Sequence, residues 1–294
     1  MSGRVVMIDG AVVAAKEATV SVYDRGFLFG DAVFEVLRTY GAVPFALGEH
    51  LRRLNRSAGL VAITLPVDER TLGGEVERAV ASSANEESYV RIVVTRGSGP
   101  LSLDPDTARD PLRVVLVEPL APPGREAYAI GIAAITVPTR RSVDDTPAVG
   151  AKVTNYLANL LAVREAKLRG GQEALIVDAL GNVVEGASSN VFTVHDRRVR
   201  TPPESAGILP GITRWYVLDA AARLGIAVDQ GELKPDDLYR ADEVFITSSI
   251  RELLPVVRID GRLVGAGTPG VVSRQLHRAF RVAVGVGSEP MPWE

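Results

Sequence analysis

The 294-residue chain contains no cysteine, which excludes disulfides, thiolate nucleophiles and cysteine-based zinc sites. Histidine is scarce. His50, His195 and His277 stand far apart, none in a metal-ligand spacing, so no metal centre is expected. The net charge of −3 offers neither a basic field for nucleic acid nor a polybasic membrane anchor. No apolar run approaches the length of a membrane span, and the N-terminal MSGRVVMIDGAVV lacks the pattern of a secretory signal. The chain therefore reads as cytoplasmic. With 46% hydrophobic and 23% charged residues, the composition is that of an ordinary globular protein, and the length suits two domains or one large one.

What is present alternates between strand and helix signals. RVVMIDGAVV predicts two short strands about an Asp-Gly turn, and Phe34, Val36 and Thr39 mark a further strand ending at Gly41. Leu51, Leu54 and Ala58 recur at helix spacing, with Gly59 as a C-terminal cap. Residues 68–84 predict another helix, weakened by Gly73 and Gly74, followed by the strands YVRIVVTRG and LRVVLVEPL. APPGREA at 121–127 reads as a linker. Beyond it, YAIGIAAITV predicts a buried strand, and Tyr156, Leu157, Leu160, Leu161 and Val163 predict a helix with a broad apolar stripe right behind Lys152. EALIVD, NVVEGASSNVFTV and VRTPP read as a strand meander, GITRWYVLDAAARLG as a helix, ADEVFITSS as a strand, RIDGRLVG as a hairpin and PGVVSRQLHRAF as a last helix. The tail from Val284 is expected to fray. The sum is an α+β (mixed α/β) protein with a small N-terminal domain over 1–120, the linker at 121–127 and a large C-terminal domain over 128–294.

Lys152, in AVGAKVTNYLANLLAVREA, admits two readings. Its stem snorkels and its amine reaches water, or burial keeps the amine neutral so that it attacks an aldehyde as a Schiff-base lysine. The second reading implies pyridoxal 5′-phosphate, which needs an anion cup, a carboxylate for its pyridine nitrogen and donors for a substrate carboxylate. LPGITRWYV puts Gly211, Ile212 and Thr213 at a helix start, where free N–H groups favour an anion. VFITSSIRE ends a strand with Thr247, Ser248 and Ser249, and Arg53 offers a positive charge. Glu185, in NVVEGASSNVF, is either a solvated strand residue or a carboxylate beside a protonated ring nitrogen. Tyr89 and Arg91, two apart in SYVRIVV, share a strand face and form either a surface pair or a carboxylate grip.

The ordered set DRGFLFGDAVFEVLR, EHLRRL, YVRIVVTRGSGPLSLDP, AKVTNYLANLLA, NVVEGASSNVF, LPGITR and ADEVFITSSIRELLPV resembles the class IV aminotransferases, the fold-type IV pyridoxal-phosphate enzymes, from about residue 5 to residue 282. The resemblance implies two domains with the active site between them. It gives Lys152 the Schiff-base and proton-carrying role and Glu185 the pyridine nitrogen. It gives Arg53, Ile212, Thr213, Ser248 and Ser249 the phosphate, and Tyr156 a place near the cofactor. The Tyr-x-Arg pair of Tyr89 and Arg91 is similar to the branched-chain branch, in which the arginine takes the distal carboxylate of glutamate and an apolar wall takes leucine-like side chains. Phe34 falls on the substrate side, and the Ser249–Ile250 turn with Tyr89 would hold the α-carboxylate. That branch is homodimeric, which implies that the GPLSLDP loop, with Leu103, closes the partner's pocket. The Arg-x-His trap of the D-amino acid branch is replaced by Leu101 and Leu103. Two departures stand out among the residues that the resemblance places at the substrate: Phe29 where the branched-chain enzymes usually have tyrosine, which loses a hydroxyl donor, and Ser248, Ser249, Ile250 and Arg251 where they usually have Gly-Thr-Ala-Ala, with Ile250 and Arg251 reshaping the α-carboxylate side. The implied reaction is transamination between an L-branched-chain amino acid and a 2-oxo acid such as 2-oxoglutarate. A D-amino acid or (R)-amine transaminase, or an aminodeoxychorismate lyase, stays open.

Overall fold

Asp9 (φ 47°) and Gly10 (φ 83°) both take left-handed backbone, which lets β1 (Val5–Ile8) and β2 (Ala11–Val13) fold back on each other as the Asp-Gly signal predicts. The structure is a computed structural model that describes residues 3–141, 144 and 146–294. The chain divides into two compact units, Met1–Ala121 with Asp145–Asn155, and Pro122–Asp144 with Tyr156–Glu294. The Lys152 segment thus packs with the first unit, although it follows the Pro/Gly-rich stretch in sequence.

In the first unit, β1 and β2 are followed by α1 (Arg25–Phe29), β3 (Ala32–Tyr40), β4 (Val43–Pro44), α2 (Leu47–Leu60), α3 (Glu69–Ser83), β5 (Ser88–Thr95) and β6 (Arg113–Pro119). Its strands order β2-β1-β6-β5-β3-β4 with antiparallel pairing. Val36 lies opposite Arg91 and Arg38 opposite Tyr89, so Phe34, Val36, Tyr89 and Arg91 share one sheet face. Glu35 and Leu37 turn to the other face, towards α2. The helix α2 runs through Gly59 to Leu60, past the expected cap. The helix α3 forms despite its glycines because Asp68 accepts from Thr71 N at 2.8 Å at its N-terminus and Leu72, Val76, Ala79 and Val80 are buried. A Cβ on Gly73 would stand 3.4 Å from Leu51, so the glycine that costs helix propensity lets α3 lie close to α2.

The second unit contains α4 (Arg125–Ala129), β7 (Ile132–Pro138), α5 (Leu157–Leu168), β8 (Glu173–Val177), β9 (Val183–Gly186), β10 (Asn190–His195), β11 (Arg198–Thr201), α6 (Ile212–Arg223), β12 (Val228–Gln230), α7 (Pro235–Tyr239), β13 (Glu243–Ser248), β14 (Glu252–Ile259), β15 (Arg262–Leu263) and α8 (Val271–Ala283). The strands order β12-β11-β10-β13-β14-β7-β8-β9, with β15 against β14. Strand β7 is parallel to both β8 and β14. Ile135, Val137, Ile176 and Val184 pack under α5, while Leu175, Val191, Ile246, Leu254 and Val256 form a second cluster.

Three expectations need correction. Helix α5 begins at Leu157, five residues past Lys152, and it buries Ala162 and Ala166. Leu157, Leu160 and Leu161 are 69%, 64% and 53% exposed: the small alanines, not the leucine stripe, let the helix lie on the sheet. The linker is only partly coil, because Arg125–Ala129 is helical and buries Tyr128. The tail is docked, not frayed. Val286 and Met291 are buried, Arg281 Nη2 donates to Glu289 at 3.0 Å and Arg125 Nε donates to Trp293 O at 3.1 Å. Among the described residues no helix is long and apolar enough to cross a membrane.

Candidate active site

In the first unit, residues 152–154 run beside the start of β3. Phe34 N donates to Lys152 O and Thr154 N to Ala32 O, both at 3.0 Å, and Val33 bridges Val153. Lys152 N donates to Ser57 Oγ at 3.1 Å. With its backbone fixed in this way, Lys152 holds Nζ 4.5 Å from the centroid of the buried Phe34 ring. The Arg91 guanidinium lies 4.1 Å from the same centroid. The ring's electron-rich faces attract both cations, so one aromatic platform gathers an amine and a guanidinium. Tyr89 shares the sheet face of Arg91, as alternation predicts.

Below this face, Glu35 is fully buried. Arg53 Nε and Nη2 donate to its two oxygens at 2.7 Å each, and His50 Nδ1 lies 2.7 Å from Oε2. Burial acts to raise the Glu35 carboxyl, but the charge and hydrogen bonds of Arg53, with His50, outweigh it and hold the group well below the usual carboxylate range. Burial pushes His50 down against the pull of Glu35, and Arg53 and Lys152 add to the depression. Arg53 is therefore oriented by Glu35, a residue that sequence reading missed as a partner. A charge inside the apolar run AVFEVL was its signal.

The GPLSLDP loop is also anchored within this unit. The buried Arg25 donates to Ser102 O at 2.6 Å and Leu103 O at 3.5 Å, pairs with Asp31 at 2.9 Å and stands 5.0 Å over the Phe29 ring. Burial opposes ionisation of Asp31, but its bonds to Arg96 and Arg25 prevail and lower its carboxyl. Leu103 itself is 80% exposed.

In the second unit, Glu185 on β9 accepts from Arg141 Nη1 at 2.5 Å and from Leu209 N at 3.0 Å. Arg141 also donates to Asp144 at 2.9 Å. Burial works to lower the Arg141 guanidinium, yet the charge of Glu185 and the bonds to Asp144 and Glu185 leave it raised. Glu185 is thus ion-paired, not solvated. Arg141 gave no sequence signal, standing in a segment without periodicity.

The N-terminus of α6 has Gly211 as a cap without a side-chain bond, and Ile212 and Thr213 behind it are buried. A Cβ on Gly211 would fall 1.9 Å from Asn190 Oδ1, which explains the glycine. The buried Thr213 Oγ1 meets no hydrogen-bond partner among the described residues, and neither does Thr247 Oγ1. A hydroxyl left without a protein partner at a helix start suits an anion rich in acceptors, so these residues fit a phosphate group. Ser248 closes β13, Ser249 begins the turn that follows, and Ile250 is half-buried. Arg251 turns its fork to Glu173, Ser188 and Ser248. Tyr156 sits as the half-buried residue before α5.

Comparison with known proteins agrees with this chemistry. The family described as Amino-transferase class IV matches residues 32–259. The Methanocaldococcus jannaschii protein named "Putative branched-chain-amino-acid aminotransferase" is 39% identical over 276 residues, covering 94% of this chain and 95% of that protein. A D-alanine aminotransferase of Bacillus licheniformis is 32% identical, covering 95% of this chain and 96% of that protein. Among solved structures, the T.th. branched-chain amino acid aminotransferase with pyridoxamine 5′-phosphate gives a TM-score of 0.91 at 32% identity, covering 97% of this chain and 95% of that one. The match runs from the strand that carries Phe34 to the strand that follows Arg251, and the chain belongs to the class IV aminotransferases.

Proposed function

We propose that this aminotransferase uses pyridoxal 5′-phosphate to move the amino group of an L-branched-chain amino acid to a 2-oxo acid such as 2-oxoglutarate. The observation that carries the reading is the pairing of Lys152 Nζ and the Arg91 guanidinium on the Phe34 ring, 4.5 and 4.1 Å from its centroid. An amine that handles the reacting nitrogen then stands beside a fork that grips the distal carboxylate of glutamate, with an aromatic wall for apolar side chains. When bound, the cofactor supplies an aldehyde that condenses with amines and a ring that takes up electron density.

Each residue's part follows from its chemistry. Lys152 Nζ holds the cofactor at rest and takes the proton from the substrate Cα during turnover. Glu185, fixed by Arg141 and Leu209 N, presents a negative charge to a protonated ring nitrogen. Ile212 N, Thr213 and the hydroxyls of Ser248 and Ser249 donate to phosphate, and Arg53, oriented by Glu35, adds charge. Tyr156 lies near the cofactor. Tyr89 and the Ser249–Ile250 turn hold the α-carboxylate. The enzyme is a cytoplasmic homodimer in this reading; exposed leucines on each unit, Leu101 and Leu103 on the first and Leu157, Leu160 and Leu161 on the second, support the dimer.

A second reading, a D-amino acid or (R)-amine transaminase, is favoured by Phe29, which offers no hydroxyl, and by the D-alanine aminotransferase relative. Spectral titration of the purified holoenzyme with L-leucine, L-glutamate, D-alanine and (R)-1-phenylethylamine decides between them. Rapid bleaching of the cofactor band by L-leucine and L-glutamate is expected. Bleaching by D-alanine or the amine alone overturns the substrate assignment. Pyruvate released from aminodeoxychorismate without amination of an acceptor identifies a lyase instead. In Lys152→Ala, cofactor binding persists without covalent attachment, and turnover falls by several orders of magnitude.

A further inference from the structure

We infer that Arg251 is a positioning residue, not a substrate-binding one: its guanidinium clamps the Ser248–Arg251 turn to Glu173 and Ser188, fixing the Ser248 hydroxyl against the turn that follows the Glu185 strand. The inference rests on the reading that this turn holds the cofactor phosphate.

All three guanidinium nitrogens are engaged within the protein. Arg251 Nη1 donates to Glu173 Oε2 at 2.5 Å, Nη2 to Ser188 O at 3.0 Å and Ser188 Oγ at 2.8 Å, and Nε to Ser248 Oγ at 3.1 Å. The main chain of the same residue is held too. Arg251 N donates to Ser248 Oγ at 3.3 Å, and Arg251 O accepts from Tyr128 OH at 3.1 Å. A substrate carboxylate would have to compete with Glu173 for this fork.

Glu173 is not able to let go cheaply. Its side chain is 2% exposed, and besides Arg251 it accepts from Ala174 N at 3.0 Å and Ser189 Oγ at 3.1 Å. Without the guanidinium, a buried carboxylate would face only neutral donors. Gly186 makes room for this arrangement, since a Cβ there would stand 2.0 Å from Ser189 Oγ and 3.3 Å from the Glu173 carboxyl carbon. The other end of the clamp is equally fixed. Gly186 N donates to Ser189 O at 2.7 Å, and β9 pairs with β8 so that Glu185 lies opposite Ile176. Arg251 therefore joins the turn after β13 to the turn after β9, one offering hydroxyls and the other following the Glu185 carboxylate.

The test uses apoprotein and pyridoxamine 5′-phosphate, whose binding involves no covalent link to Lys152. In Arg251→Ala, its dissociation constant is expected to rise about tenfold, equivalent to about 1.4 kcal/mol. Arg251→Lys keeps the charge without the fork and should behave alike. Glu173→Gln should also weaken binding, and the double variant should be no worse than the poorer single variant, because both break one contact. Amide hydrogen exchange at 186–189 and 248–252 should quicken in each variant. A dissociation constant within twofold of wild type in Arg251→Ala, together with a tenfold higher donor KM and a silent Glu173→Gln, would overturn the inference and return Arg251 to the substrate. If Thr213→Ala and Ser249→Ala leave pyridoxamine 5′-phosphate affinity untouched, the phosphate assignment fails by itself. Exchange then decides the clamp: faster exchange in both segments sustains it, and unchanged exchange overturns it.

Discussion

Both units bury a glutamate between a histidine and an arginine set one helical turn apart, but they close the network differently. In the first, Glu35 of β3 meets His50 and Arg53 of α2. In the second, Glu252 of β14 meets His277 and Arg281 of α8, with His277 Nε2 again 2.7 Å away. Arg53 gives two nitrogens to two carboxylate oxygens at 2.7 Å each, a fork-to-fork pair. Arg281 spreads one nitrogen over both oxygens at 3.0 and 3.1 Å and sends the other to Glu289 of the tail at 3.0 Å. Glu252 also takes left-handed backbone at φ 53°, whereas Glu35 lies inside a strand. The first network thus centres on a fork-to-fork pair on the Phe34 strand. The second shares its charge with a half-exposed partner and carries backbone strain next to Arg251.

That difference orders the expected damage. Glu35→Ala removes the buried carboxylate that accepts from two Arg53 nitrogens and should cost about 3–5 kcal/mol in urea unfolding. Glu252→Ala should fall at the low end, about 3 kcal/mol, because Arg281 keeps Glu289. A larger loss from Glu252→Ala than from Glu35→Ala would break the contrast. Glycine sharpens it. At position 252 a glycine removes the left-handed penalty, so Glu252→Gly should be more stable than Glu252→Ala by about 1 kcal/mol. At position 35, in extended backbone, Glu35→Gly should be less stable than Glu35→Ala.

Acid should expose the two networks next. Burial depresses both His50 and His277, with the nearby carboxylates opposing, so each stays neutral in the fold below the value of about 6.5 it has when unfolded. The unfolded chain then binds the extra protons. Stability from this source is level above about pH 7 and falls as pH drops below about 6.5, by up to about 1.4 kcal/mol per pH unit for each histidine, until the folded form protonates. Glu35 acts lower: its depressed carboxyl stabilises the fold above about pH 4.5 and loses that contribution as pH falls towards its folded value. His50→Gln should remove about half of the slope between pH 6.5 and 5.5 in denaturant titrations. An unchanged slope would show that His50 is not held neutral.

Much of this was legible because it is periodic. Alternation put Tyr89 and Arg91 on one face, and Asp9-Gly10 announced the first hairpin. The leucines of α5 were misread because periodicity reports an apolar stripe, not what covers it, and Ala162 and Ala166 are weak hydrophobic signals that pack well. The platform of Phe34, Arg91 and Lys152 was not readable locally. It depends on a bridge between Val33 and Val153, far apart in sequence. Arg141 was invisible for the same reason, since its meaning is its contact with Glu185. The docked tail was missed because its anchors are single residues: Trp293 lies against Arg274 and Arg278 at 5.4 and 5.6 Å, without a repeat to reveal it.

The smallest expected effect probes the shared charge most directly. Glu289 has a side chain that is 54% exposed, and Arg281 is nearly buried at 7%. In the wild type, Arg281 is already paired with Glu252, so Glu289→Ala removes a largely solvated partner and should cost about 0.2–1 kcal/mol. In Glu252→Ala, Glu289 becomes the carboxylate through which Arg281 is still neutralised, and its removal should cost more. A double-mutant cycle should therefore show coupling of at least about 1 kcal/mol between positions 252 and 289, although the two carboxylates repel each other and meet only through the arginine. No such relay is expected when Glu35→Ala is combined with Glu289→Ala, since the two carboxylates pair with different arginines. Strict additivity at 252 and 289 would mean that solvent, not Glu289, compensates Arg281, and the difference between the two networks would then lie in the fork-to-fork geometry of Arg53 and the φ of Glu252.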